Sequence, residues 1–204
     1  MSITNRNSFG SYAAANPTEE LDIFINNKPN FRELPLESPH RDIEVIDNFL
    51  TPNYVKKLQS VFFDLDFNWH YSPFVGERVM TDRGLYFIHN IYESFRITED
   101  KFDLWNGFLP ILQALEVHSI MRLRALLYVN QGEIIEHEMH QDREYPHKTA
   151  LIYLNDNNGY TGFEDGTKVE SVCNRLVLFD GSMKHHSTTC SDAKERLVIS
   201  INYF

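Results

Sequence analysis

Cysteine is nearly absent from this sequence: only Cys173 and Cys190 occur in 204 residues. Two isolated thiols cannot build the disulfide framework on which small secreted domains depend, so both are expected to be small, reduced side chains. Long apolar runs are missing too. No stretch approaches the roughly 18 residues that cross a bilayer, and the polar opening Met1-Ser2-Ile3-Thr4-Asn5-Arg6 lacks the apolar segment of a secretory signal. A soluble, cytoplasmic chain with no membrane partner is expected. Positive charge is also scarce, because 19 Lys and Arg face 29 Asp and Glu, the formal net charge is −10, and no long basic run offsets it. Such a surface repels a phosphate backbone, which argues against nucleic acid as a partner.

What is present is a globular composition: 42% hydrophobic residues, 24% charged residues, 15 Phe and 10 Tyr. An aromatic-rich core follows. The length suits one domain with a helical flank and one active site. Residues 1–40 are rich in Asn, Ser, Pro and charge with brief apolar pieces such as Leu21-Asp22-Ile23-Phe24-Ile25, and read as a loosely structured leader whose role is packing. Residues 41–204 form the domain proper, with a helical flank over 41–120 and a β-rich core over 121–204.

In the flank, Ile43-Glu44-Val45-Ile46 alternates like a strand, and Thr51-Pro52 opens a helix from Tyr54 to about Phe63. Apolar residues at Leu104, Phe108, Ile111, Leu112 and Leu115 predict a second helix between Phe102 and Val117, with a kink expected at Pro110. Beyond Met121 the texture changes to short runs of β-branched and aromatic residues: Arg122 to Val129, Thr149 to Leu154, Val169 to Val172, Arg175 to Phe179 and Leu197 to Tyr203. Turn residues such as Asn130-Gln131-Gly132, Asp165-Gly166 and Asp180-Gly181 separate them. Closely spaced strands with this punctuation predict a sandwich or barrel, most simply a jelly roll.

Chemistry enters with His140-Gln141-Asp142. On an extended strand the imidazole and carboxylate at i and i+2 share a face, about 7 Å apart along the backbone, where they can share a metal. The same pattern occurs at His40-Arg41-Asp42, but a strand and a helix start follow it, with no barrel to bring a third ligand, so His40 reads as surface. Just past the Asp180-Gly181 turn comes His185, and at the head of the last strand Arg196. Two His and one carboxylate on one face of an octahedron leave three positions open, the arrangement that suits Fe(II) binding an organic chelate and O₂. A dicarboxylate that chelates iron through its 2-oxo acid end leaves its far carboxylate for a planar guanidinium, the role expected of Arg196. Ser200 lies on the same strand face and is expected to donate a hydroxyl to that carboxylate.

These residues, with Tyr153-Leu154-Asn155 and Phe179-Asp180-Gly181-Ser182-Met183-Lys184-His185, resemble the 2-oxoglutarate/Fe(II)-dependent oxygenases, and within them the small prolyl-4-hydroxylase-like members. The resemblance spans roughly Ile43 to Phe204. It implies a double-stranded β-helix, a cupin-like jelly roll. It also implies Fe(II) held by His140, Asp142 and His185, and 2-oxoglutarate held by Arg196 with Tyr153, Tyr128 and Ser200. Of the adjacent pair His185-His186, it favours His185, six residues after Phe179. Gly159-Tyr160-Thr161-Gly162-Phe163 stands where the family has Gly-Gly-x-Thr-x-Phe. The implied reaction consumes O₂ and 2-oxoglutarate, releases succinate and CO₂, and hydroxylates a C–H bond of a peptide, amino acid or small metabolite. Because Asp142 fills the carboxylate position, hydroxylation is favoured over halogenation.

Neighbouring histidines read as structural. His137 falls on the opposite strand face from His140 by period 2, and His137-Glu138-Met139-His140 is one residue short of the zinc-protease pattern. His147, in the loop beyond Asp142, reads as solvated. Two rival readings accompany the oxygenase: a cupin-type metalloenzyme that uses no 2-oxoglutarate, which has no need of Arg196 and Ser200, and a non-catalytic β-sandwich binding module.

Overall fold

Period-two alternation along the long strands of the C-terminal half has a simple consequence: each offers one face to a helical layer and the other to a cavity. The computed structural model describes residues 24–29, 43–75, 84–98 and 102–204. In chain order the elements are β1 (Glu44–Ile46), α1 (Pro52–Phe62), β2 (His70–Ser72), β3 (Tyr86–Glu93), β4 (Arg96–Ile97), α2 (Leu104–Ala114) and β5 (Ile120–Val129). They continue with β6 (Lys148–Tyr153), β7 (Tyr160–Phe163), β8 (Lys168–Glu170), β9 (Arg175–Asp180), β10 (His185–Ser187) and β11 (Glu195–Tyr203). A large antiparallel sheet runs β1-β9-β6-β11-β5-β3-β2, with β4 paired to β3, and a second sheet runs β10-β7-β8. This is the jelly-roll class that the turn spacing predicts.

The large sheet divides its residues by parity. Leu123, Ala125, Ile199, Ile201, Ala150 and Ile152 pack with Leu58, Val61 and Phe62 of α1 and with Phe108 and Ile111 of α2. Their neighbours Leu126, Tyr128, Val198, Leu151 and Tyr153 pack instead with Phe163 and Val169 of the small sheet. Between β5 and β11 the register sets Arg196 opposite Tyr128, Val198 opposite Leu126, Ser200 opposite Arg124 and Asn202 opposite Arg122. All eight therefore share the cavity face.

The helices fall close to their expected bounds. Thr51 precedes α1 and its carbonyl accepts from Tyr54 and Val55, although its side chain makes no capping bond. α2 begins after Asp103, held at φ 55 in the left-handed region. The helix runs through Pro110 to Ala114 although that residue has no N–H to donate to the carbonyl four residues back. The 41–120 stretch is less helical than its sequence implies, because β2, β3 and β4 lie within it. β3 hides its nature through a shift of register between Asn90 and Tyr92, which breaks the alternation. Of residues 1–40 only 24–29 are described, and there Ile25 bridges Leu50 and the Phe24 ring sits 4.8 Å from that of Tyr54. The His40-Arg41-Asp42 motif lies outside the described residues. Among the described residues no helix is long and apolar enough to cross a membrane.

Candidate active site

His140 and His185 meet through their backbones. The amide of each donates to the carbonyl of the other at 2.9 Å, an isolated antiparallel bridge that puts both rings on one side. Their centroids are 4.7 Å apart. The Asp142 amide donates to the Gly181 carbonyl at 3.1 Å, and the Gln141 amide group between them donates to the Ser182 carbonyl. The ligand-bearing segment is thus sewn onto the Asp180-to-His185 stretch by hydrogen bonds, although only isolated bridges, and no continuous strand, run through it.

The side chains fit a metal. One ligand atom from each of His140, Asp142 and His185 lies within 4.8 Å of the others, and His185 Nε2 is 3.9 Å from Asp142 Oδ2. Donors on one face of an octahedron, each about 2.1 Å from the ion, stand about 3 Å apart, so the set has to close by roughly 1 to 2 Å around an ion. His140 Nδ1 lies 3.1 Å from the Glu138 carbonyl, and His185 Nδ1 lies 2.9 Å from the Met183 carbonyl. A carbonyl oxygen only accepts, so each Nδ1 carries the proton and each Nε2 keeps its lone pair for an ion. Burial pushes His185 down to about 4 despite the pull of Asp142, which keeps this imidazole neutral near neutrality.

Asp142 is the most constrained member. Burial favours its neutral form, but Arg122, His185, Arg124 and the Asn202 amide outweigh burial and hold its carboxyl well below the usual range. Arg122 Nη2 donates to Oδ1 at 2.7 Å; Asn202 Nδ2 donates to Oδ2 at 2.8 Å and the Thr149 hydroxyl at 3.4 Å. Hydrogen bonds of this kind fix a ligating carboxylate in place before an ion arrives.

A cavity opens from this cluster toward Arg196, lined in part by Tyr86, Arg124, Leu126, Tyr128, Ser187 and Ser200. Arg196 is 1% exposed. It donates from Nε to Ser171 Oγ at 2.6 Å, from Nη1 to the Thr188 carbonyl at 3.3 Å and from Nη2 to Thr161 Oγ1 at 3.1 Å. Each partner is neutral, so this buried cation has no counter-ion among the described residues. Its guanidinium carbon stands 5.4 Å from the Tyr128 ring centre and 5.2 Å from that of Tyr153. Tyr128 and Ser200 line the cavity; Tyr153 stands beside it, its hydroxyl donating to Thr161 Oγ1 at 2.8 Å. All seven residues singled out in the sequence therefore gather around one space.

His186, as neighbouring residues on a strand should, faces away from His185. It packs edge-on to Tyr160 over Gly162, where a Cβ would collide with its ring. His147 differs from expectation, for it is buried rather than solvated: Nδ1 bonds to the Tyr145 carbonyl and Nε2 lies 3.4 Å from Asn202 Nδ2. The absent side chain of Gly181 leaves the room it occupies.

His137 is structural but not for the reason of strand parity, since the segment around it is irregular. It is buried, stacks on Tyr128 at 5.3 Å and bonds through Nδ1 to Ser187 Oγ at 2.9 Å. Burial, reinforced by the charges of Arg196 and His186, lowers it from 6.5 to about 4. The unfolded chain therefore takes up this proton first as pH falls. The stability from a neutral His137 is complete above about pH 6.5 and lost as pH drops toward 4, on the order of 3 kcal/mol over the window. Urea unfolding of metal-free protein across this range should show a shallower acid loss in His137→Gln than in the parent. Equal slopes in the two proteins would refute it.

Arg122, Arg124, Thr149 and Asn202 belong to no motif in the sequence, yet they surround Asp142. A clue existed: Arg122 and Arg124 have the parity of Tyr128, so two guanidiniums had to share its face.

No protein-family model matches the sequence, and no curated protein matches it. Solved structures match its fold. A Trichoplax adhaerens prolyl hydroxylase, solved with a hypoxia inducible factor oxygen degradation domain peptide fragment, gives a TM-score of 0.61 at 18% identity, over 79% of this chain and 83% of that one. A Pseudomonas putida prolyl-4-hydroxylase gives 0.55 at 20% identity over 80% and 92%. A Burkholderia pseudomallei oxidoreductase of the 2OG-Fe(II) oxygenase family gives 0.58 at 9% identity over 79% and 84%. The fold is that of the 2-oxoglutarate/Fe(II) oxygenases.

Proposed function

We propose that this chain is a 2-oxoglutarate- and Fe(II)-dependent dioxygenase that hydroxylates an unactivated C–H bond of a peptide, amino acid or small metabolite. His140, Asp142 and His185 hold the iron; Arg196 holds the far carboxylate of 2-oxoglutarate, with Tyr128, Tyr153 and Ser200 around it. The observation that carries this reading is the pairing, in one cavity, of three convergent metal donors with a buried arginine that has no anion among the described residues. A cupin enzyme without the cosubstrate leaves that arginine unexplained.

Bound together, iron and 2-oxoglutarate supply the oxidising power, with succinate and CO₂ as products. The chain's own part is to present two neutral imidazoles and one fixed carboxylate. It also offers the guanidinium of Arg196 to one end of the cosubstrate and surrounds the reaction with Leu126, Leu151 and Val198. A peptide substrate is consistent with the peptide complex of the Trichoplax enzyme.

With Fe(II), ascorbate and 2-oxoglutarate but no second substrate, slow succinate formation is expected, as is common when such centres turn over uncoupled. Succinate that stays at the protein-free background, with iron bound and with peptides, amino acids and small metabolites each supplied, would favour the cupin reading.

A further inference from the structure

Arg196 is not the only cation in the cavity short of negative charge among the described residues, for Arg124 has only a share in Asp142. Arg124 projects from the middle of β5 into the same space, its side chain 16% exposed. Its Nε is buried without a hydrogen-bond partner, and its closest carboxylate oxygen, Asp142 Oδ1, is 4.0 Å away. That oxygen is already taken by Arg122 at 2.7 Å. A buried guanidinium N–H left without a partner is costly unless something completes it.

Charge balance says what that something is. Arg122 and Asp142 cancel. A divalent ion and the dianion of 2-oxoglutarate cancel as well. Arg196 and Arg124 then remain, and Asp142 is the only acidic residue lining the cavity among the described residues. Loaded with metal and cosubstrate, the described residues of the site still leave surplus positive charge within a low-dielectric wall. Position separates the two arginines: Arg196 pairs with Tyr128, whereas Arg124 pairs with Ser200, four residues further along β11 and toward the metal donors.

We propose that Arg124 binds a carboxylate of the substrate that is hydroxylated. The substrate is thus an acid, held by a planar fork of N–H donors beside the metal. This rests on the oxygenase reading and narrows its substrate class. It also assigns Arg124 a specificity role distinct from that of Arg196.

The test uses full-length protein loaded with Zn(II), which has no redox chemistry, and 2-oxoglutarate. Saturation-transfer NMR then compares three probes: N-acetylglycine, its neutral amide, and N-acetyl-aspartate α-amide, whose only carboxylate is on the side chain. The parent should bind one or both acids and not the neutral amide; the preferred acid tells whether a terminal or a side-chain carboxylate is taken. Arg124→Met should weaken the acid by about tenfold or more and weaken 2-oxoglutarate, whose binding also reports folding, far less than Arg196→Met does. Arg124→Lys should retain part of the acid binding, since it keeps the charge but not the fork. The proposal is overturned if the neutral amide binds as well as the acids, if no acid binds the parent, or if Arg124→Met binds acids unchanged. It is overturned too if Arg124→Met loses 2-oxoglutarate as severely as Arg196→Met, for Arg124 would then serve the cosubstrate. Failure of the metal-loaded parent to bind 2-oxoglutarate at all is a different result, and it removes the oxygenase reading itself.

Discussion

His185→Ala should purify without iron and make no succinate, whereas His186→Ala should keep a full complement of iron. The two residues are adjacent, but only His185 turns its Nε2 toward Asp142, at 3.9 Å, while His186 lies over Gly162 on the other side of β10. Removing one of three protein ligands leaves two, too few to retain the ion against buffer. Trimming His186 opens space beneath Tyr160 and alters packing alone. Iron stoichiometry in the two variants decides the matter; a full complement in His185→Ala with none in His186→Ala would show that the ligand assignment is displaced by one residue.

Arg196→Met should lower 2-oxoglutarate affinity at least about 30-fold and leave Fe(II) binding intact. Losing one side of a buried, charge-assisted pair costs on the order of 2–5 kcal/mol, of which the smaller figure already gives that factor. Met fills similar volume, so the Tyr128 and Tyr153 rings that flank Arg196 keep a neighbour. Iron retention provides the internal control, because Arg196 touches none of the three metal donors. Unchanged 2-oxoglutarate affinity in folded Arg196→Met would remove the assignment.

The convergence of His140, Asp142 and His185 was legible because one spacing places two donors together, and a turn at Asp180-Gly181 returns the third. Arg196 was legible because a strand-borne arginine that far beyond the histidine needs a purpose. The jelly roll followed from strand length and turn residues. What stayed hidden has physical causes. β3 is masked by its register shift, so its apolar residues do not alternate in the sequence. His147 looked exposed beside Pro146, and only the missing side chain of Gly181, 34 positions away in the chain, makes room to bury it. His137 was placed by a strand rule in a segment that forms only isolated bridges. Arg122 and Arg124 resemble ordinary surface charges until β5 is seen between two other strands of the sheet, β11 and β3.

The parity of β5 and β11 reaches beyond packing. Helix-facing positions such as Leu123, Ala125, Ile199 and Ile201 belong to the core that holds the fold, and cavity-facing positions such as Arg124, Leu126, Val198 and Ser200 line the space in which the proposed substrate would sit. Because each strand alternates between these duties residue by residue, mutations that retune substrate preference need not pass through unfolded intermediates. An evolving lineage can therefore rewrite the inner row while its outer row holds the architecture. Solved proteins with the same fold at 9% to 20% identity are what such a division permits. For an engineer it marks the inner row of β5 and β11 as the place to build a library, and the outer row as the one to leave alone.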